Sequence, residues 1–223
     1  MPERDRAAEL REFGACIVSD ALDALGIAGA TGAIRPVDPS FPSVAGTVVT
    51  VLLELRRAGD PVGAHLATTA IGLAKPGEVI VIANAGRVGM SSWGGMLTEA
   101  AMRQGISAVI VDGACRDVEE ARDKGFPVYA RGATPISAKG RTREVATNVP
   151  VTIDDLRVHP GDLVVADHNG VVFVPAARVD EVLAAAHRIR QAEGAALDAI
   201  TEGGSAAEAI DDRAFLEATD GKE

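Results

Sequence analysis

Read for the spacing of its apolar residues, the chain divides into a first part that alternates strands with helices and a later part made mostly of strands. Residues 5–12 predict a short charged helix. Ser19-Asp20 then offers an N-cap for a second helix, with Ala21, Leu22, Ala24 and Leu25 on its apolar side and Gly26 as its stop. Residues 29–43 are rich in Gly and Pro and read as a connecting loop. A strand over 48–55, helical character over 60–73, a Lys75-Pro76-Gly77 turn and a strand over 79–83 follow. Residues 86–95 form a glycine-rich loop. The pattern continues with a helix over 96–104 stopped by Gly105, a buried strand over 108–111, a helix over 118–124 stopped by Gly125, and a strand over 127–130.

From about residue 140 the pattern predicts strands over 149–153, 163–166 and 171–174, with Pro160-Gly161 as a turn. His168-Asn169-Gly170 is a hairpin signal, since Asn-Gly supplies the positive φ angles of a tight turn. Val179, Val182, Leu183, Ala186 and Ile189 repeat at helical spacing, so 177–200 is expected to be a C-terminal helix, followed from about 204 to 223 by a polar, acidic tail. With no internal repeat and no composition shift at a boundary, residues 1–223 are expected to form a single α/β domain.

Charge and composition narrow the function classes. A formal net charge of −10, without clustered Lys and Arg, argues against direct nucleic-acid binding, and seven aromatics make no platform for stacked bases. No apolar run is long enough for a transmembrane helix, so no membrane association is expected. The stretch MPERDRAAELREF lacks the pattern of a secretory signal, so a cytoplasmic location is the expectation. Cys16 and Cys115 make neither a disulfide framework nor a zinc cluster. His65, His159, His168 and His187 are scattered, and the bland reading is preferred for each; only His65 lies in a semi-apolar segment. Nucleotide-binding loops and the HExxH and GxSxG motifs are absent.

The informative segments are Trp93-Gly94-Gly95-Met96-Leu97 and Asp112-Gly113-Ala114-Cys115-Arg116-Asp117. Each lies where a strand ends and a helix begins, the place where α/β units collect ligands. Gly94 and Gly95 would let the backbone approach a ligand, and the N–H groups of Gly95, Met96 and Leu97 at a helix start suit a carboxylate. Arg116 can add a bidentate contact to a carboxylate or keto oxygen. Asp117 is a hard oxygen ligand of the kind that Mg²⁺ or Mn²⁺ accepts. Taken alone, Asp112-Gly113 is also the composition of a turn, Asp117 a helix-start acid and Arg116 its solvated neighbour. Spacing does not choose between the two.

Gly95, twenty intervening residues, Arg116-Asp117 and then Glu120 resemble the G-x20-R-D-x2-E signature of the RraA-like proteins, which include the regulator of ribonuclease E activity. The related class II 4-hydroxy-4-methyl-2-oxoglutarate aldolases carry D-x20-R-D. The resemblance extends through Ser19-Asp20-Ala21-Leu22-Asp23, Pro76-Gly77-Glu78-Val79, Val111-Asp112-Gly113, Gly125-Phe126-Pro127-Val128 and Pro160-Gly161-Asp162, with Asp167 and Gly170. It implies a layered β/β/α swivelling-type fold, a homotrimer or hexamer, and a site between subunits where a divalent metal, Mg²⁺ or Mn²⁺, holds a 2-keto acid. By the same resemblance, Gly94 to Leu97 form the substrate loop, Arg116 is the substrate arginine and Asp117 the metal aspartate. Glu193 on the last helix resembles a family glutamate assigned to a neighbouring subunit's site. Cys115 reads as a packing residue.

Such a site implies a carbon–carbon lyase acting through a pyruvate enolate, either decarboxylating oxaloacetate or cleaving 4-hydroxy-4-methyl-2-oxoglutarate. Retro-aldol cleavage needs a base for the hydroxyl proton, whereas decarboxylation needs the enolate stabiliser alone. This chain has Gly95 where the aldolase signature has an aspartate, which weighs toward decarboxylation, although a metal-bound water activated by another residue, with Glu193 of a neighbouring subunit as the candidate, would still supply the base. The alternative that the same resemblance implies is a non-enzymatic regulator that binds ribonuclease E.

Overall fold

The computed structural model describes residues 5–60, 63 and 65–210. In chain order they form helix α1 (Arg6–Ala24), short strands β1 (Ala30–Thr31) and β2 (Arg35–Pro36), strand β3 (Val44–Leu55), helix α2 (Thr68–Leu73), strand β4 (Val79–Ser91), helix α3 (Gly95–Gln104), strand β5 (Ala108–Cys115), helix α4 (Val118–Asp123) and strand β6 (Val128–Ala133). Strands β7 (Thr142–Thr147), β8 (Val151–Ile153), β9 (Leu156–Val158), β10 (Leu163–Asp167) and β11 (Gly170–Val174) follow. A 3-10 turn at Ala176–Arg178 leads into the long helix α5 (Val179–Thr201), and a turn of helix, α6 (Ala206–Ala209), comes last. The acidic tail expected from about 204 is described only to residue 210; the remainder lies outside the described residues.

Strands β3 to β6 run parallel, and β10 and β11 continue the sheet antiparallel from β3, with β1 on β11 and β2 on β6. Side chains alternate between two buried faces. Ile80, Ile82, Val109 and Val111 meet residues of α2, α3 and α4, whereas Val79, Val81, Ala108 and Ile110 meet Val164, Val171 and Phe173 of β10 and β11 and the β8–β9 hairpin. The other face of β10 and β11, with Val165, Val172 and Val174, is covered by α1 and α5 through Leu10, Leu22, Leu183 and Ile189. A period-two strand that is apolar on both sides needs cover on both, and two β layers between helical layers satisfy it. This is the expected mixed α/β class with a C-terminal helix, and α1 and α5 add an outer layer to the β/β/α core. Tyr129 ties β6 to the end of β10: its buried hydroxyl lies 2.8 Å from the Pro42 carbonyl oxygen and 3.0 Å from that of Ala166.

Several local expectations change. The break in α1 falls at Gly14 (φ 79°, ψ 170°) rather than at Ser19-Asp20. Beyond it the Ala15 N–H donates to Asp167 Oδ2 at 2.9 Å, so the cap comes from β10 and not from a neighbouring residue. The helix expected over 60–73 shortens to α2, which starts after Ala67 in a left-handed conformation (φ 62°). The expected loop over 86–95 is largely strand: positive φ at Ala85 and Gly86 makes a bulge, after which β4 rejoins β5 at Arg87–Gly113 and Ser91–Ala114. The loop over 29–43 contains β1 and β2, and β7 and β9 form where the apolar spacing predicts no strand.

The β10–β11 hairpin forms with His168 and Asn169 as its loop, but Asn169 does not take a positive φ. Its N–H instead donates to Asp167 Oδ1 at 2.7 Å, and Gly170 is required because a Cβ there would sit 2.5 Å from the Thr31 carbonyl oxygen. Among the described residues no helix is long and apolar enough to cross a membrane.

Candidate active site

The carboxyl ends of β4 and β5 remain paired as they leave the sheet, with Ser92 N–H donating to the Ala114 carbonyl at 2.7 Å and Arg116 N–H to that of Trp93 at 3.0 Å. These bonds bring Gly94-Gly95 and Arg116-Asp117 side by side, as the strand-end argument requires. Trp93 anchors the turn from below: its indole N–H donates to Thr98 Oγ1 at 2.9 Å, and its ring stacks near Phe126 at 6.1 Å between centroids. Cys115 is buried in the same core, and burial pushes its thiol up to about 12, so it packs rather than reacts.

Asp117 itself adopts a left-handed conformation (φ 58°) just before α4. This turns its carboxylate back toward α3, where Oδ2 accepts from the Gly95 N–H at 2.9 Å and lies 3.3 Å from Arg116 Nε. About a third of each side chain remains exposed. Asp117 Oδ1 and the terminal nitrogens of Arg116 have no partner among the described residues.

The two glycines make room for the chain's own side chains. A Cβ at Gly94, which is in extended backbone, would lie 2.8 Å from Asp117 Oδ2 and 3.1 Å from Arg116 Nε; a Cβ at Gly95 would collide with Glu120 Oε2. The Glu120 carboxylate therefore occupies the place where a side chain at residue 95 would begin. Of the three N–H groups expected to face a ligand, Gly95's is engaged by Asp117 and Leu97's by the Gly94 carbonyl at 3.0 Å. Only that of Met96 lacks a partner among the described residues.

Arg116, Gly94, Met96 and Leu97 line a small cleft with Ser91, Ser92 and His65. Its free space is about 20 Å³, room for roughly one water. His65, Leu66, Met96, Leu97 and Ala138 also line an adjacent cleft of about 810 Å³ whose walls include Lys139 and Glu144. The sequence assigns His65 no role, and the one hint is its semi-apolar segment. Burial, then the Lys139 and Arg116 charges, lower its pKa below the ordinary imidazole value. The other histidines have different partners: His168 Nε2 is 2.9 Å from the Pro39 carbonyl, His187 Nε2 2.8 Å from Glu9, and His159 Nδ1 3.7 Å from Asp162.

Glu193 is not brought to this cleft within the chain. It lies on α5 near Cys16, whose thiol is raised by burial and by Asp167, Asp20 and Glu193, in the outer helical layer. Asp112 is not a turn residue: it is buried in β5, pairs with Arg131 Nε at 2.6 Å and accepts from the Gly86 N–H at 3.0 Å.

Comparison with known proteins gives the family and the fold. The RraA-like family model (Aldolase/RraA) matches residues 15–173, and the chain belongs to that family. A solved structure of an uncharacterized protein from Pseudomonas syringae pv. tomato is 31% identical, with a TM-score of 0.82 over 93% of this chain and 97% of that one. Streptomyces coelicolor RraAS2, described as an unusual member of the RNase ES inhibitor RraA protein family, is 26% identical with a TM-score of 0.79, over 87% of this chain and 97% of its own. A 4-hydroxy-4-methyl-2-oxoglutarate aldolase of Thermus thermophilus is 35% identical over 100 residues, 44% of this chain and 60% of that protein. Across the first curated relatives the matched stretch spans between 22% and 64% of the relative's own length.

Proposed function

We propose that the cleft is the active site of a divalent-metal-dependent carbon–carbon lyase that acts on short 2-keto dicarboxylic acids through a pyruvate enolate. The observation that carries this reading is the placement of Arg116 and Asp117 against the start of α3, with the Asp117 and Glu120 carboxylates converging beside Gly95. Family relatives named as aldolases support the reaction class.

The donor set suits a hard ion. Among the described residues no three His, Cys, Asp or Glu side chains gather as a metal cluster, which argues against a closed zinc site. Asp117 Oδ1 with Glu120 nearby is instead the one-or-two-carboxylate arrangement that Mg²⁺ or Mn²⁺ uses while keeping waters for substrate to displace. Such an ion, when bound, supplies Lewis-acid polarisation of the C2 carbonyl. Arg116 binds the C1 carboxylate or the C2 oxygen through its terminal nitrogens and stabilises the charge that develops on the enolate. The Met96 N–H adds a donor at the helix start. Asp117 orients Arg116 and the α3 backbone through Oδ2. Because the cleft beside Arg116 holds only about one water, the rest of the substrate extends into the larger cleft.

The assembly we propose is a homotrimer or hexamer in the cytoplasm. Glu193 on the outer helical layer can serve an Arg116–Asp117 site only in another subunit. The test is pyruvate release from oxaloacetate and from 4-hydroxy-4-methyl-2-oxoglutarate with Mg²⁺, Mn²⁺ or EDTA. Metal-dependent release lost in Arg116→Ala and Asp117→Ala supports the assignment; no release above the metal-only background from either compound overturns it.

The likeness to RraAS2 favours a second reading, a regulator that binds a ribonuclease. Retention of a ribonuclease E–type partner on the immobilised protein at low salt, unchanged by Asp117→Ala, would support it; no retention counts against it.

A further inference from the structure

We propose that His65 is the base for the retro-aldol branch of this chemistry: its imidazole takes the C4 hydroxyl proton of a 4-hydroxy-2-keto dicarboxylate and returns that proton to C3 of the pyruvate enolate. The inference rests on the lyase reading above and adds a proton-transfer group from the same chain as Arg116, where Glu193 would have to come from another subunit. Gly95 offers no carboxylate, and Glu120, which fills the space beside it, is placed next to Asp117 at the proposed ion.

The position of His65 carries the argument. It borders both the narrow cleft that holds Arg116 and Gly94 and the wide cleft into which a longer substrate must extend. A keto acid with its C1–C2 end at Arg116 therefore directs C3 and C4 past His65. The imidazole makes no hydrogen bond or ion pair among the described residues; only the backbone carbonyl of His65 is engaged, by the Thr68 N–H at 3.3 Å and the Thr68 hydroxyl at 2.7 Å. The other three histidines all have ring partners.

The charges around His65 favour an acceptor. Arg116 and Lys139 act on it directly, and the wide cleft adds Arg56, Arg143 and Glu144. Glu144 is occupied, accepting from the Ala67 N–H at 2.7 Å and from the Thr147 hydroxyl. Partial burial, then the Lys139 and Arg116 charges, lower the pKa of His65 below the ordinary imidazole value, which favours the neutral ring with a free nitrogen lone pair. The same cations suit the second carboxylate of a dicarboxylic substrate.

The steps balance without an external reagent. The O–H bond at C4 breaks and its proton joins the imidazole. The C4 oxygen becomes a carbonyl as the C3–C4 bond breaks, and that electron pair enters the enolate. The imidazolium then gives its proton to C3, completing pyruvate and restoring the neutral ring. With oxaloacetate the departing group is CO₂ from an ionised carboxylate, so no hydroxyl proton has to be removed and water can protonate C3.

The two reactions separate the inference from the reading beneath it. His65→Gln is assayed for pyruvate release from 4-hydroxy-4-methyl-2-oxoglutarate and from oxaloacetate with Mg²⁺ present. The expected result is a kcat loss of about 100-fold or more on the hydroxy acid, with oxaloacetate turnover within a few-fold of wild type, which also reports an intact fold. The wild-type profile of kcat/KM for the hydroxy acid should rise with pH through an apparent pKa below the ordinary imidazole value of about 6.5, and His65→Gln should lack this limb. Equal losses on both substrates, an unchanged rate on the hydroxy acid, or a wild type that turns over oxaloacetate alone would overturn the role of His65 and leave the lyase reading standing. A wild type inactive on both would overturn the lyase reading itself.

Discussion

The backbone N–H of Gly95 donates a 2.9 Å hydrogen bond to Oδ2 of Asp117, joining the start of α3 to the start of α4 across 22 residues of sequence. One carboxylate thus positions a helix start with one oxygen, and the other oxygen has no hydrogen bond among the described residues. Asn at 117 can keep the hydrogen bond but not the charge. Asp117→Asn is therefore expected to retain wild-type stability and lose metal-dependent lyase activity, whereas Asp117→Ala also strands a buried N–H and costs about 1–3 kcal/mol. Urea unfolding beside a pyruvate-release assay distinguishes the two losses.

Gly94 touches the same pair from the other side. A Cβ there would come within 2.8 Å of Asp117 Oδ2 and 3.1 Å of Arg116 Nε. Both side-chain ends can swing away, so Gly94→Ala should fold and yet misplace the arginine. Displacement of about 1 Å at a reacting centre can cost about 100-fold. Circular dichroism and the lyase assay together check this.

Arg116→Lys keeps the charge and loses the planar fork. The expected result is a fall in kcat/KM of about 100-fold, near that of Arg116→Ala, measured by steady-state kinetics. Rescue to within a few-fold by lysine would show that a point charge suffices.

Arg131 pairs with Asp112, which is only 2% exposed, and with Asp154, which also bonds the Thr31 hydroxyl. Arg131→Ala leaves Asp112 uncompensated and should cost about 3 kcal/mol or more by urea unfolding. Asp154 has its pKa lowered: burial opposes the charge, but the bonds from Thr31 and Arg131 outweigh it. A depressed carboxylate adds stability that is present above its unfolded pKa of about 3.9 and is lost as pH falls through the folded value. Part of the acid loss of stability between about pH 4 and lower pH should therefore disappear in Asp154→Asn, as read by thermal unfolding against pH.

Tyr129→Phe removes the hydroxyl that reaches the Pro42 and Ala166 carbonyls. A cost of about 1–2 kcal/mol with unchanged lyase activity is expected, because the bond ties the two sheet ends and lies away from the cleft.

Much of this architecture was legible in the chain itself. The apolar alternation of 79–83 and 108–111, the glycines at 105 and 125 and the helical repeat after 177 act over a few residues, so local spacing exposes them. Gly95, Arg116 and Asp117 could be singled out because strand ends and helix starts coincide there. Contacts between distant segments had no such signal. β7, with the polar sequence Thr142–Thr147, is a strand because β3 offers it an edge, and the break in α1 is at Gly14 because Asp167 arrives from β10 to cap it. His65 has no motif around it; it joins Arg116 because two clefts meet where α2, α3 and the segment after β6 pack. The sequence alone determined the main apolar strands and the helices around them and singled out Gly95, Arg116 and Asp117 as candidates, since those depend on local periodicity and side-chain type. Only the tertiary structure decided that Glu120 fills the space at Gly95, that the α3 N–H groups are largely taken, and that one histidine of four stands at the cleft, because each is a through-space distance that no spacing along the chain encodes.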